Sequence, residues 1–315
     1  MLGSAVEAIG ETPLVELSRL TRGLDGRILA KLDYLNPGFS KKDRIARQIL
    51  EEAGAAGDLA PGQCVVELTS GNTGTGAAIV CAVMGHPFIA VMSRGNSPER
   101  ARMMRALGAE VVLVDQAPGS IAGQVSGADL ALVEAATEEI VASRTGFRID
   151  QFIRAGSSRA HELHTGPEIW DASDGSVTAF CDFVGSGGTF AGLHRAFAAR
   201  RPDIRGYIVE PSGAAVLAGQ FPDAPGHRIQ GGGYAMPTLP LLDGLLPAGF
   251  LTVDDEAAML TTRRLAVEEG IFGGFSAGAN VAAALELLRG AERGGTIAVI
   301  ICDSGLKYLS TDLWP

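Results

Sequence analysis

Apolar runs of strand length alternate with segments of helix length along almost the whole chain, and few folds are open to a chain patterned this way. The runs at 28–33, 65–68, 88–92, 111–114, 177–184, 205–210 and 296–302 read as strands, with a short one at 14–17 after the turn at 10–13. Between them the pattern predicts helices over about 43–54, 75–84, 98–107, 128–143, 190–200, 254–269 and 279–289. Alternating strands and helices imply parallel βαβ units. The expected fold is therefore α/β, with two open twisted, mainly parallel sheets and helices on both faces. The stretch 115–127 reads as a mobile loop, 211–250 as a Pro- and Gly-rich connection, and 145–152 as a boundary between two halves.

Composition narrows the function. A formal net charge of −10 argues against a nucleic-acid partner, which normally meets a basic patch. The four cysteines, Cys64, Cys81, Cys181 and Cys302, are scattered in or beside apolar runs, as buried free thiols of a cytoplasmic protein would be. His161 and His164 are three apart but lack a third ligand in the pattern, so no metal site is expected. No apolar run approaches the ~18 residues of a membrane helix, the start has no signal-peptide pattern, and no regulatory domain is expected after Thr311.

Four strand-to-helix joints carry the candidate chemistry. Gly185, Ser186, Gly187, Gly188 and Thr189 form a glycine-rich joint ahead of a helix start, where unpaired N–H groups can cradle a phosphate. Thr69, Ser70, Gly71, Asn72, Thr73 and Gly74 crowd hydroxyls and an amide at a second joint, suited to a carboxylate or to plain helix capping. Gly273 to Gly278 is a third, carrying Ser276. The fourth, Asn36 to Arg44, holds Lys41 and Lys42 between a strand and a helix. A lysine there is either a Schiff-base nucleophile or a solvated side chain, and periodicity does not choose between the two lysines. A phosphate cradle, a carboxylate cradle and a lysine around one crevice point to pyridoxal phosphate with an amino-acid substrate.

These motifs resemble those of the cysteine synthase and cystathionine β-synthase family, the fold-type II pyridoxal-phosphate enzymes related to the tryptophan synthase β chain. The pattern Asn-Pro-x-x-Ser-x-Lys-Asp-Arg stands here as Asn36 to Arg44, and the loops at 69–74, 185–189 and 274–278 match the family's substrate, phosphate and pyridine-nitrogen loops. Thr165 to Trp170, Ile229 to Gly231, Asp303 to Gly305 and Tyr308 to Thr311 are further matches, so the likeness covers residues 8–313. By this register Lys42 is the Schiff-base lysine. The resemblance further implies that Asn72 contacts the cofactor's 3′ oxygen, Gly185 to Thr189 hold its phosphate, and Ser276 meets its pyridine nitrogen. Thr69, Ser70, Thr73 and Gln151 are expected to hold the substrate carboxylate.

The expected reaction is β-replacement on an activated L-serine through an aminoacrylate. The first expectation is O-acetyl-L-serine plus sulfide giving L-cysteine and acetate. Alternatives are another leaving group or nucleophile (O-phosphoserine, homocysteine, cyanide, ammonia or hydroxyurea) or net elimination, as in a dehydratase or desulfhydrase. The resemblance also implies a homodimer, a smaller mobile substrate-side domain over 36–150 with 1–12 packing near it, and a larger cofactor-binding domain of 13–35 plus 151–315. Phe39, Lys41, Arg94, Arg154 and Tyr234 depart from the family pattern and are candidates for substrate choice.

Overall fold

In a computed structural model of the protein, which describes residues 1–121, 123, 125–222 and 226–315, the alternating pattern folds into ten strands and nine helices among the described residues. The strands are β1 (Leu14–Glu16), β2 (Arg27–Lys31), β3 (Val65–Leu68), β4 (Phe88–Ser93), β5 (Glu110–Val114), β6 (Phe147–Arg148), β7 (Ala179–Phe183), β8 (Arg205–Pro211), β9 (Gly249–Val253) and β10 (Thr296–Ile300). The helices are α1 (Lys42–Ala56), α2 (Asn72–Met84), α3 (Pro98–Ala106), α4 (Gly127–Arg144), α5 (Gly156–Ala160), α6 (Gly166–Ala172), α7 (Gly188–Ala198), α8 (Asp255–Glu269) and α9 (Phe275–Arg289). A π-helical turn, His161–Thr165, joins α5 to α6. Residues 122 and 124 of the 115–127 stretch, and 223–225 of the 211–250 stretch, lie outside the described residues.

Two sheets form, in the orders β1-β2-β10-β7-β8-β9 and β5-β4-β3-β6. Every pairing is parallel except β1 with β2. Strand side chains alternate between faces, and here each face meets helices. In the larger sheet Ile28, Cys181, Val209 and Val299 pack with Leu265, Val281 and Leu285 of α8 and α9. Their neighbours Leu29, Phe180, Ile208 and Ala298 pack with Phe190, Leu193 and Phe197 of α7. In the smaller sheet Val65, Phe88 and Ala90 meet α1, α2 and α3 through Ile45, Ile49, Ala77 and Ala101, while Val66, Ile89 and Val91 meet Val133 of α4. Val6 and Ile9 join the first of these two clusters, so the start of the chain packs on the smaller sheet's helices.

Strand order decides where a ligand can sit. From β7 the chain runs outward through β8 and β9, then crosses to β10 on the other side of β7. From β3 it runs outward through β4 and β5, then returns to β6 on the other side of β3. Each reversal opens a crevice beyond the strands' carboxyl ends, the usual ligand position in open α/β sheets. The glycine-rich joint follows β7, Cys302 and Asp303 follow β10, the 69–74 joint follows β3, and Gln151 follows β6.

Several local expectations are corrected. β6 is only two residues and β9 lies in the stretch read as a connection; in β9 exposed and part-buried residues alternate up to a buried Val253, so no apolar run marks it. The α5–π–α6 segment was not expected, because its Gly, Ser and Pro content hides its helical period. The 273–278 joint is shorter than expected: α9 begins at Phe275, so Ser276 stands in a helix's first turn rather than in a loop.

Candidate active site

The lysine joint is pinned by its flanking residues. Asn36 Oδ1 accepts from Gly10 N–H at 2.8 Å, and its Nδ2 donates to Asp33 O at 2.8 Å. Asp43 accepts from Gly38 N–H. Arg44 donates to Asp33 from Nε and Nη2, both at 3.0 Å, and to Glu168 from Nη1 and Nη2, at 2.6 and 2.7 Å. Lys31 adds a second cation, 2.6 Å from Glu168. Burial works against the Glu168 charge, but Arg44 and Lys31 outweigh it and hold the carboxyl down at about 2. Arg44, Asp33, Lys31 and Glu168 thus form one buried ion network that ties the segment after Lys42 to α6 and fixes the start of α1.

Lys42 opens α1 and lines a cleft of about 420 Å³ with Asn72, Gly185 to Thr189, Gln230, Ser276 and Cys302. Lys42 Nζ has no ion-pair partner among the described residues. Burial, then the neighbouring Lys41 charge, push its ammonium down to about 8. Opposite it, α7 starts at Gly188 behind Gly187, whose φ of +80° favours glycine, and no side chain caps this helix end. An uncapped N-terminus leaves N–H groups and a positive dipole end facing the cleft. Beside it the Ser157 hydroxyl is buried with no hydrogen-bond partner among the described residues. His161 Nε2 is 3.2 Å from Thr189 Oγ1 and its Nδ1 is 2.9 Å from Thr165 Oγ1. Burial first, and then Lys41, Arg44 and Lys42, keep this imidazole well below its ordinary range and neutral. Among the described residues no cluster of three or more His, Cys, Asp or Glu is arranged to hold a metal.

A second cleft of about 290 Å³ shares Lys42, Asn72, Gly185, Ser186 and Gly231 with the first and adds Ser70, Thr73, Gln151, Phe152 and Tyr234. Thr73 Oγ1 donates to Gln151 Oε1 at 2.7 Å. Gln151 is steadied by Glu67, whose carboxyl accepts from the N–H groups of Asp150 (2.8 Å) and Gln151 (3.5 Å). Of the four residues expected to hold a carboxylate, Ser70, Thr73 and Gln151 line this cleft and Thr69 does not. The Thr69 hydroxyl is turned into its own loop, where it accepts from Gly71 and Gly74 N–H, each at 2.9 Å.

Two sets of residues escaped the sequence reading. Asn72 is held from both sides: its Nδ2 donates to Asp303 at 2.7 Å, and its Oδ1 accepts from Lys307 Nζ at 2.7 Å. An ammonium only donates, so Lys307 fixes which way the amide points. Tyr308 donates to the same Asp303 oxygen at 2.6 Å. Arg100 is wholly buried behind the 69–74 loop, with Nη1 donating to Ser70 O at 2.7 Å and its guanidinium 5.0 Å from the Tyr308 ring centre. Gly71, at φ +131°, is the only residue type that fits over it, since a Cβ would meet Arg100 Cδ at 2.4 Å. Asp303 and Tyr308 stood inside recognised signatures, but nothing local marked Lys307 or Arg100 as buried.

Arg94, Arg154 and Phe39 lie outside both clefts. Arg94 pairs with exposed Asp115 at 2.6 Å, and Arg154 donates to Arg148 O and stacks on Phe147. Phe39 is 42% exposed and sits at φ +61°, in the left-handed region. Left-handed backbone costs a non-glycine residue roughly 1–2 kcal/mol. Phe39→Gly is therefore expected to hold stability at or above that of the wild type, and Phe39→Val to lose about 1–2 kcal/mol. Urea unfolding of the two variants checks this; equal midpoints would show that the conformation is unstrained.

A lysine amine with no ion-pair partner among the described residues, an uncapped glycine-rich helix start and an adjoining cleft of hydroxyls and an amide define an enzyme whose cofactor is an aldehyde with a phosphate tail. Comparison with known proteins gives the family. The chain belongs to the pyridoxal-phosphate dependent enzymes, whose family model matches residues 6–303. It is 40% identical to cysteine synthase 3 of Caenorhabditis elegans over 317 residues, which is 100% of this chain and 90% of the relative. Among solved structures, O-ureido-L-serine synthase matches with a TM-score of 0.88 at 36% identity, covering 99% of this chain and 95% of the other. An O-acetylserine dependent cystathionine β-synthase from Helicobacter pylori matches with a TM-score of 0.90 at 31% identity, covering 100% and 99%. Pyridoxal phosphate is the cofactor, and the residues present fit it: the buried Ser157 hydroxyl lacks a partner beside the open end of α7.

Proposed function

We propose that the protein replaces the β substituent of an O-acylated L-serine, with O-acetyl-L-serine and sulfide as the substrates and L-cysteine and acetate as the products. The observation that carries this reading is the sharing of Lys42 by two adjoining clefts, one lined by the phosphate cradle and Ser276, the other by Ser70, Thr73 and Gln151. When bound, pyridoxal phosphate draws electrons from the substrate's Cα and makes its proton acidic. Lys42 Nζ would be the group that holds the cofactor's aldehyde, and as a free amine it would be the base that takes the Cα proton and returns one later. Gly185 to Thr189 would hold the phosphate, Asn72 would meet the 3′ oxygen and Ser276 the pyridine nitrogen. Ser70, Thr73 and Gln151 hold the carboxylate, with Thr69 shaping the loop from behind.

The leaving group follows from charge. Among the described residues Lys42 is the only cationic one lining the second cleft, and Arg94 and Arg154 are engaged elsewhere. A phosphate leaving group would want a bidentate arginine, so the lining supports a neutral acyl group over O-phosphoserine. A second reading keeps this leaving group but takes a bulkier nucleophile. It rests on Tyr234 and Phe152, whose rings sit 6.1 Å apart on the same cleft. The family resemblance supports a homodimer and a mobile unit over 36–150 that closes over the substrate, and the scattered free thiols support a cytoplasmic location.

A spectral screen tests the substrate. O-acetyl-L-serine is expected to shift the visible absorption of the bound cofactor, and sulfide to restore it. O-phospho-L-serine is expected to act at least about tenfold more slowly. Faster reaction with O-phospho-L-serine would overturn the leaving-group assignment, and restoration by a thiol or hydroxyurea but not by sulfide would favour the second reading.

A further inference from the structure

Two lysines adjoin in the chain and both line the cofactor cleft, but only one has a partner there. Lys41 Nζ lies 2.9 Å from Asp182 Oδ1, with side chains 9% and 2% exposed. Lys41 N–H donates to Cys302 O at 2.8 Å, which fixes the residue against the end of β10. Asp182 is a carboxylate inside β7, where all five residues are buried. Burying two ions costs several kcal/mol each, and replacing such a pair by apolar side chains is often neutral or stabilising. Stability alone therefore gives no account of a charge pair on this wall.

We infer that Lys41 and Asp182 form a positioning pair for the Lys42 amine: Asp182 pins the Lys41 ammonium in the cleft wall, where its fixed charge repels a second positive charge and leaves Lys42 open to an aldehyde. This rests on Lys42 being the residue that holds the cofactor, as proposed above. Capture of an aldehyde uses the lone pair on Nζ. The C–N bond forms, and the carbonyl oxygen leaves as water with the two amine protons. An ammonium has no such pair to give.

The groups acting on Lys42 come from every side of the cleft. Lys41 stands on its own loop, Asp182 on β7, Cys302 after β10 and Glu67 on β3, while His161 from the π-helical turn is uncharged. Burial and then Lys41 lower the Lys42 proton affinity; Asp182, Cys302 and Glu67 act the other way with smaller effect. Below its midpoint near 8 the ammonium predominates, and capture slows about tenfold per pH unit.

The experiment follows capture rather than turnover. Full-length protein freed of its cofactor is mixed with pyridoxal phosphate, and the growth of visible absorbance is timed from neutral to alkaline pH. Wild type is expected to show a midpoint near 8. Lys41→Met should raise it by about one pH unit and slow capture at neutral pH about tenfold, Lys41→Arg should keep it, and Asp182→Asn should lower it. A packing role alone would lower the melting temperature of all three variants and leave their midpoints together; that result overturns the inference. If Lys41→Met does not fold with Asp182 unpaired, the double variant Lys41→Met/Asp182→Asn carries the test. Its midpoint should lie above that of wild type, because Lys41 outweighs Asp182; coincidence with wild type again overturns the inference. Capture that persists in Lys42→Ala would instead refute the assignment of Lys42, and the positioning role with it.

Discussion

Replacing Lys42 with alanine is expected to cut turnover about 10³-fold or more and to abolish the visible band that the protein acquires with pyridoxal phosphate. On the assignment proposed above the amine serves twice, as the group that holds the cofactor's aldehyde and as the base for the Cα proton, and among the described residues no second amine in the cleft is free to replace it. Lys41 is tied to Asp182 and Lys307 to Gly38 and Asn72. Folding should survive, because truncation breaks no ion pair and removes a cation that burial disfavours. The melting temperature is therefore expected to match or exceed that of the wild type. A Lys42→Ala protein that keeps both its band and its rate would remove this residue from the mechanism. One that melts far below the wild type would mean its side chain is structural.

Arg44→Met should have the largest effect on stability. The substitution keeps the length of the side chain but removes donors to two carboxylates, one of them wholly buried: Asp33 is 0% exposed, and Arg44 itself 2%. Removing one partner of a buried ion network leaves charge uncompensated and costs about 3–5 kcal/mol. For a chain of this size that is a fall of roughly 10 °C in melting temperature. Because Arg44 sits in the first turn of α1 with Lys42 at its start, the loss of rate should exceed what the unfolded fraction explains. The check is a thermal melt of Arg44→Met beside Glu168→Gln and the double variant, in which the double should cost less than the sum of the singles. A variant melting with the wild type would show that the network contributes nothing net.

Most of the architecture could be read from the sequence because strands buried on both faces leave largely apolar runs: β4 and β10 are of that kind, and β3, β7 and β8 are interrupted only by Glu67, Asp182 and Glu210 within their buried stretches. β6 could not, since two residues make no pattern. The candidate site was legible where its residues stand at or beside a helix start: Asn72 and Ser186 at those that follow β3 and β7, and Ser276 at that of α9, which follows α8 rather than a strand. It was illegible where function rests on partners distant in the chain. Lys41 and Asp182 are 141 residues apart and Lys307 and Asn72 are 235 apart, so no local window shows that either lysine is buried and paired. Arg94 and Arg154 erred the other way: both looked available until their own neighbours engaged them.

The Thr73–Gln151 hydrogen bond has a consequence for which molecules are refused. The two groups already satisfy each other across the mouth of the cleft, so a newcomer has to exchange an existing bond rather than fill a gap. A neutral ester or amide offers an acceptor no better than the glutamine oxygen it displaces, and the exchange is level. An anionic acceptor makes bonds roughly twice as strong as neutral ones, so a carboxylate can tip it. On the carboxylate assignment proposed above, this cradle would read charge before shape, favouring α-amino acids over the amines that share their side chains.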